Sequence, residues 1–173
     1  MTRTALSFIF WSILLVLAQA IVFNHICVLG VAVPFVFIYM ILRLPVTLAQ
    51  GWVLTIAFAM GLAVDIFSDT QGMNALACTI LAGVRPGIIR LYFPREEDMT
   101  YPQPSIHAFG FGIYLKYALT MALIFCASIF IIESFTFFNP LRLLLKIVFS
   151  TLFTTIFLIG IDSLTLQRPG KRA

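Results

Sequence analysis

Six apolar runs, broken by short polar joints, organise the chain: residues 5–23, 28–42, 52–67, 72–92, 109–132 and 141–161. A helix needs about 20 apolar residues to cross a bilayer, fewer where the membrane thins or polar ends snorkel. Each run therefore predicts a transmembrane helix. The second is short and carries Pro34, which removes an amide and frees a carbonyl for a neighbouring helix to satisfy. The fourth is expected to kink at Pro86, after which Ile88, Ile89, Arg90, Leu91, Tyr92 and Phe93 suit the membrane surface better than its centre. Only 94–104, PREEDMTYPQP, forms a long polar connection, and it is too small to be a domain.

Composition fits a single polytopic membrane domain over residues 1–173. Of these residues 61% are hydrophobic and 10% charged, against about 25% charged in soluble domains. A soluble chain of this size could not hide so much apolar surface, so the bilayer is its expected solvent. The first run resembles a secretion signal with an AQA cleavage site, but its apolar core runs on through Ile21, Val22 and Phe23, longer than a usual signal core. An uncleaved first span is expected. The formal charge of +4 is too small and too scattered for a nucleic-acid footprint. Cys27, Cys78 and Cys126 are odd in number and widely spaced, which gives no disulfide framework or metal motif. They read as small core residues.

Charge orients the runs. With the N-terminus in the cytoplasm, the inner segments carry Arg3, Arg43, Arg85, Arg90, Arg95, Lys116, Arg168, Lys171 and Arg172, nine of the 11 basic residues. The outer segments carry only Arg142 and Lys146. The positive-inside rule therefore predicts six helices in one compact bundle, an all-α integral membrane protein with both termini cytoplasmic.

The stretch Gly61 to Asp98 holds most of the acids. A charge in hydrocarbon costs about 3 kcal/mol or more, so Asp65, inside the third run, needs a partner, a water path or an interface. Arg142 and Lys146 lie four apart, on one face of the sixth helix. Asp65, Asp69 and Glu133 would lie in the same outer third. One reading is a network among helices three, five and six that locks the bundle. A second is a polar pocket open to the outer face, and a third leaves these residues as solvated loop ends. Asp69 or Thr70 could cap the fourth helix, with Gly72 permitting a close approach. That role explains Asp69 but not Asp65, a turn deeper. Gly61 shares a face with Asp65 at i, i+4, where a small residue lets another helix come close.

Catalytic signatures are not present in the sequence. There is no Walker A loop, HExxH or GxSxG, and His25 and His107 fall on opposite sides of the predicted membrane. Asp65 and Asp69 could form an acid pair, which leaves an intramembrane lipid-processing enzyme as an open alternative. No cofactor or metal site is expected.

The stretch Gly61-Leu62-x-x-Asp65-x-x-Ser68-x-x-x-Gly72-x-x-Ala75-Leu76 resembles the signature region of the MreD family of bacterial rod shape-determining proteins. So does the plan around it, six apolar runs with hardly any soluble loop. The stretches FxNPLRLLLKI and FGFGIYLKYALTM look like those of MreD proteins from the Bacteroidetes. One departure is Asp69, where family members often have Gly after the Ser. The resemblance implies a non-enzymatic, multi-pass component of the inner (cytoplasmic) membrane. Such a protein would serve the elongation machinery by binding an MreC-like protein, and through it MreB filaments, RodA and penicillin-binding protein 2 in peptidoglycan synthesis. It also implies a fold similar to the S-components of energy-coupling-factor transporters. That similarity supports the alternative of a small-molecule or lipid binder with an outer-facing polar pocket.

Overall fold

The computed structural model describes residues 2–23, 33–92, 103–106, 110–133 and 140–166. The chain is all-helical over these residues, with no strand among them. Helix α1, Thr2–Ala18, runs on into a π-helical turn, Gln19–Phe23. A single turn, α2, covers Ile38–Leu42. The long helices are α3, Gln50–Ser68, α4, Met73–Tyr92, α5, Phe111–Glu133, and α6, Pro140–Leu166. Helix α3 packs on α4, α4 on α5 and α5 on α6, while α1 lies more lightly against α3.

Among the described residues, four helices are long and apolar enough to cross a membrane: α3, α4, α5 and the Pro140–Leu164 part of α6. The first expected span is helical, although its apolar stretch Phe8–Ile21 is shorter. The second, 28–42, differs from expectation. Residues 28–32 lie outside the described residues, and from Val33 to Leu42 only Ile38–Leu42 is helical. Pro34 is the physical reason: it has no amide to give a helix, and its ring biases Val33 toward extended backbone. The last helix runs five residues beyond the expected end at Ile161, to Leu166, which brings Asp162 inside it.

The core is apolar, as in a soluble domain, but the surface is apolar too, and several polar groups are buried with the core. Ile66, Leu91, Leu141 and Leu164 are each at least 70% exposed, whereas Gln19, Asp65, Asn74, Arg85, Ser150, Thr154 and Asp162 are buried. Lipid accepts the first set, and the second must find hydrogen bonds inside the protein. Helix α5 is the central strut: Tyr114, Tyr117, Ala118, Met121, Ala122, Phe125, Cys126, Ile129 and Phe130 are all buried, at steps of three and four. Ala118, Ala122 and Cys126 form a small-residue row that admits neighbouring backbones closely, which matters where packing rather than water drives association.

Inside the bundle lies Pro34–Leu42, buried along its whole length. Every amide hydrogen from Val33 to Val36 is taken by a side chain. Val33 donates to Ser150 Oγ at 3.1 Å, Phe35 to Thr154 Oγ1 at 3.0 Å and Val36 to Gln19 Oε1 at 2.8 Å. Gln19 Nε2 in turn donates to the Pro34 carbonyl at 3.1 Å. The spacing matches because two extended residues rise about 6.6 Å, close to the 6 Å that four helical residues cover. Non-helical backbone at such depth is tolerated only where protein or a water-filled cavity satisfies it.

Candidate functional site

Two buried polar clusters sit at opposite ends of the α3–α4 pair. The first is built by the turn joining those helices. Asp69 takes the left-handed conformation at the end of α3, φ 54° and ψ 39°, and its amide bonds to the Asp65 carbonyl. Glycine adopts this conformation freely and Asp tolerates it, which accounts for either residue following Ser68. Gly72 also has positive φ, at 77°. The turn brings the N-terminus of α4 back onto Asp65. Asp65 Oδ1 accepts from Thr70 Oγ1 at 2.5 Å, the Asn74 amide at 3.0 Å and Asn74 Nδ2 at 2.9 Å. Its Oδ2 accepts the Ala75 amide at 2.8 Å.

Asp65 is thus the cap of α4, and its negative charge meets the positive end of that helix dipole. The capping role expected of Asp69 or Thr70 falls to it instead. Asp69 is exposed and occupied in ending α3. The Thr70 hydroxyl donates to Asp65 and accepts from the Asn74 side chain at 3.3 Å, while the backbone amides of Asn74 and Ala75 go to Asp65. Gly61, one turn before Asp65, is what lets α4 come so close. A Cβ there would lie 2.6 Å from the Ala75 Cα and the Asn74 carbonyl.

The other expected network residues stand apart from Asp65. Glu133 and Arg142 are exposed at the ends of α5 and α6. Lys146 lies with its Nζ 5.7 Å from the centre of the Phe130 ring, a cation–π contact between α5 and α6. Among the described residues no ion pair joins Asp65 to either cation; its four donors all come from its own hairpin. His25, His107 and Cys27 lie outside the described residues. Cys78 and Cys126 are buried free thiols, and no group of metal ligands occurs among the described residues.

The second cluster was not expected. Asp162 is fully buried, and accepts from Tyr39 Oη at 3.0 Å and from the Ile106 amide at 2.9 Å. Arg43 Nη1 donates to the same Tyr39 oxygen at 2.7 Å, so the phenol bridges Arg43 and Asp162 by hydrogen bonds. Arg85, 3% exposed, donates to the carbonyls of Leu42 and Leu44, and Tyr117 Oη donates to Leu42 at 3.3 Å. A cation on the last carbonyls of α2 suits the negative end of a helix. The signal available in the sequence was the row Ser150, Thr154, Leu158 and Asp162, in steps of four and all fully buried.

Outside these clusters, α1 and α3 enclose an open apolar groove of about 610 Å³, with Phe8, Ile13, Trp52, Met60 and Phe67 among its lining.

The arrangement defines an all-helical membrane protein whose polar chemistry serves its own backbone. No model of a known protein family, no curated protein and no solved structure matches the chain.

Proposed function

We propose that the chain is a six-span component of the bacterial inner membrane, with both termini cytoplasmic. In this reading it supports the cell-elongation machinery without catalysis, as MreD proteins do. It binds the transmembrane helix of an MreC-like partner, and through that partner serves MreB filaments, RodA and penicillin-binding protein 2. The observation that carries this reading is the α3–α4 hairpin. Gly61, Asp65, Gly72 and Ala75, on which the resemblance to MreD proteins rests, act there as one unit: close contact, cap, turn and capped amide.

Two further features support it. Arg43, Arg85, Arg90 and Lys116 lie toward the end of the bundle where α3 starts, α4 ends and α5 starts, whereas Arg142 and Lys146 lie where α6 starts. That separation fits the cytoplasmic placement of the first group. The outer surface is apolar and rich in aromatic side chains, Trp11, Trp52, Phe58 and Phe67 among those exposed, as a helix-binding surface in lipid requires.

Affinity purification from native membranes in mild detergent, after crosslinking, tests the reading. A single-pass partner should be recovered in stoichiometric amount, and depletion should cost cells their rod shape. Recovery as a free monomer together with unchanged cell shape would reject it.

A further inference from the structure

Arg85 and Arg43 are drawn to the same turn of chain. Arg85 holds the carbonyls on either side of Arg43, those of Leu42 and Leu44. The Arg85 guanidinium therefore lies against the backbone on either side of Arg43, at the end of the bundle that also carries Arg90 and Lys116. Arginine does not shed its proton, so both charges persist. The described acid in this cluster is Asp162, and only Arg43 reaches it, through Tyr39. Arg85 has no carboxylate partner among the described residues, although it is 3% exposed. A buried charge held only by neutral groups, two carbonyls and the Tyr117 hydroxyl, is an expensive arrangement. In addition, Nε of Arg85 and Nε of Arg43 are both buried without a hydrogen-bond partner. Arg43 is half-buried, and exposed Thr47 and Gln50 follow it, so the turn reaches the surface of the protein.

We infer that the Arg43–Arg85 turn is a binding site for a phosphate group, taken either from an anionic lipid headgroup or from free phosphate. Phosphate suits this pair chemically. Its oxygens accept several charge-assisted bonds at once, and guanidinium groups present planar forks of donors to them. The position suits it too, since basic pockets between helices on the cytoplasmic face take anionic headgroups. The inference rests on the proposed orientation only for the cytoplasmic placement of this turn; charge and burial there carry the rest.

The test uses the full chain in detergent, with thermal unfolding and native mass spectrometry as readouts. The probes are phosphatidylglycerol, phosphatidylcholine and inorganic phosphate, and the variants are Arg43→Gln and Lys116→Gln. Arg43 is chosen because it is half-buried, whereas changing Arg85 risks the fold. Phosphatidylglycerol should raise Tm and remain bound in the spectrum where phosphatidylcholine does not. Arg43→Gln should weaken that binding about tenfold or more, the usual scale for a charge-assisted hydrogen bond, and Lys116→Gln should leave it nearly intact. Stabilisation by inorganic phosphate alone, again lost in Arg43→Gln, assigns the site to free phosphate. If neither probe stabilises the protein, or if Arg43→Gln binds phosphatidylglycerol as tightly as the parent, the site is refuted.

Discussion

Gln50 Nε2 donates a hydrogen bond of 2.8 Å to the carbonyl of Ala82, the one that Pro86 leaves without an amide. The start of α3 thus repairs the defect that proline makes in α4. Gln50→Ala should destabilise the protein by about 1–3 kcal/mol, toward the lower end because the glutamine is exposed. A Pro86→Ala background restores a backbone amide at position 86 that can reach the Ala82 carbonyl, so the same change should then have almost no effect. Thermal unfolding of the four proteins in detergent measures the coupling. Equal losses in the two backgrounds would show that Gln50 does not serve this carbonyl.

Asp65 makes a second case of repair within a hairpin. Asp65→Ala removes the acceptor for two α4 amides, the Asn74 side chain and the Thr70 hydroxyl, and should cost about 2–4 kcal/mol. Asp65→Asn should fall between, because one amide oxygen replaces two carboxylate oxygens and its NH2 would face a backbone donor. Adding Lys146→Leu should give a simple sum, since Lys146 packs on Phe130 and shares no partner with Asp65. Recovery of most of the loss in the double mutant would instead show a pair across the bundle.

These residues show what a sequence can and cannot tell. Asp65 and Gly61 were legible, because a carboxylate in hydrocarbon must be satisfied and a small residue one turn away marks a close contact. The identity of its partners was not legible, because backbone amides carry no residue signature. Asp65 turned out to be answered nine and ten residues along its own chain, not by a cation. The long helices were legible from apolar run length alone. Asp162 was not, because it stands one residue past the last apolar run and reads as the start of a polar tail. Gln19 sat inside what resembles a signal cleavage site, and Gln50 in what resembles a mere joint. Each is explained only by the backbone group it serves: Pro34 and Val36 for Gln19, Ala82 for Gln50.

Gly61 should be intolerant of even one methyl group. The added Cβ would meet backbone atoms of Asn74 and Ala75 at 2.6 Å, and backbone cannot swing aside as a side chain can. Gly61→Ala must push α4 away from α3 and strain the Asp65 cap, with an expected loss of about 3 kcal/mol. Gly51→Ala is the control: nothing lies within 4 Å of its Cβ, and helix propensity predicts a gain of up to about 1 kcal/mol. Melting temperatures that fall equally, or not at all, would contradict the contact.

The charge distribution makes a prediction about topology. Reporter or cysteine probes after Phe23, Thr70 and Asn139 should report the outer side, and probes after Pro45, Glu97 and Lys171 the cytoplasm. The probe after Glu97 is the most exacting, since it follows Arg85, Arg90 and Arg95 directly. An outside signal there would overturn the six-span orientation. Such a result would leave the packing of α3 on α4 untouched, because that hairpin is held by its own bonds.

The extended backbone from Val33 to Val36 carries the last prediction. It is held by side chains on two other helices, so each of its bonds can be removed singly. Thr154→Val keeps nearly the same shape but strands the Phe35 amide in apolar surroundings, at about 1–3 kcal/mol. Thr154→Ser keeps the hydroxyl and should recover most of that, which separates the lost bond from lost packing. Gln19→Leu strands both the Pro34 carbonyl and the Val36 amide, so it should cost roughly twice as much. Hydrogen exchange gives the local readout. The Phe35 amide should exchange faster in Thr154→Val and the Val36 amide faster in Gln19→Leu, with the amides of α5 unchanged in both. Uniform exchange in all three proteins would mean that the segment is held by burial alone, and that Gln19 and Thr154 are passengers in the core.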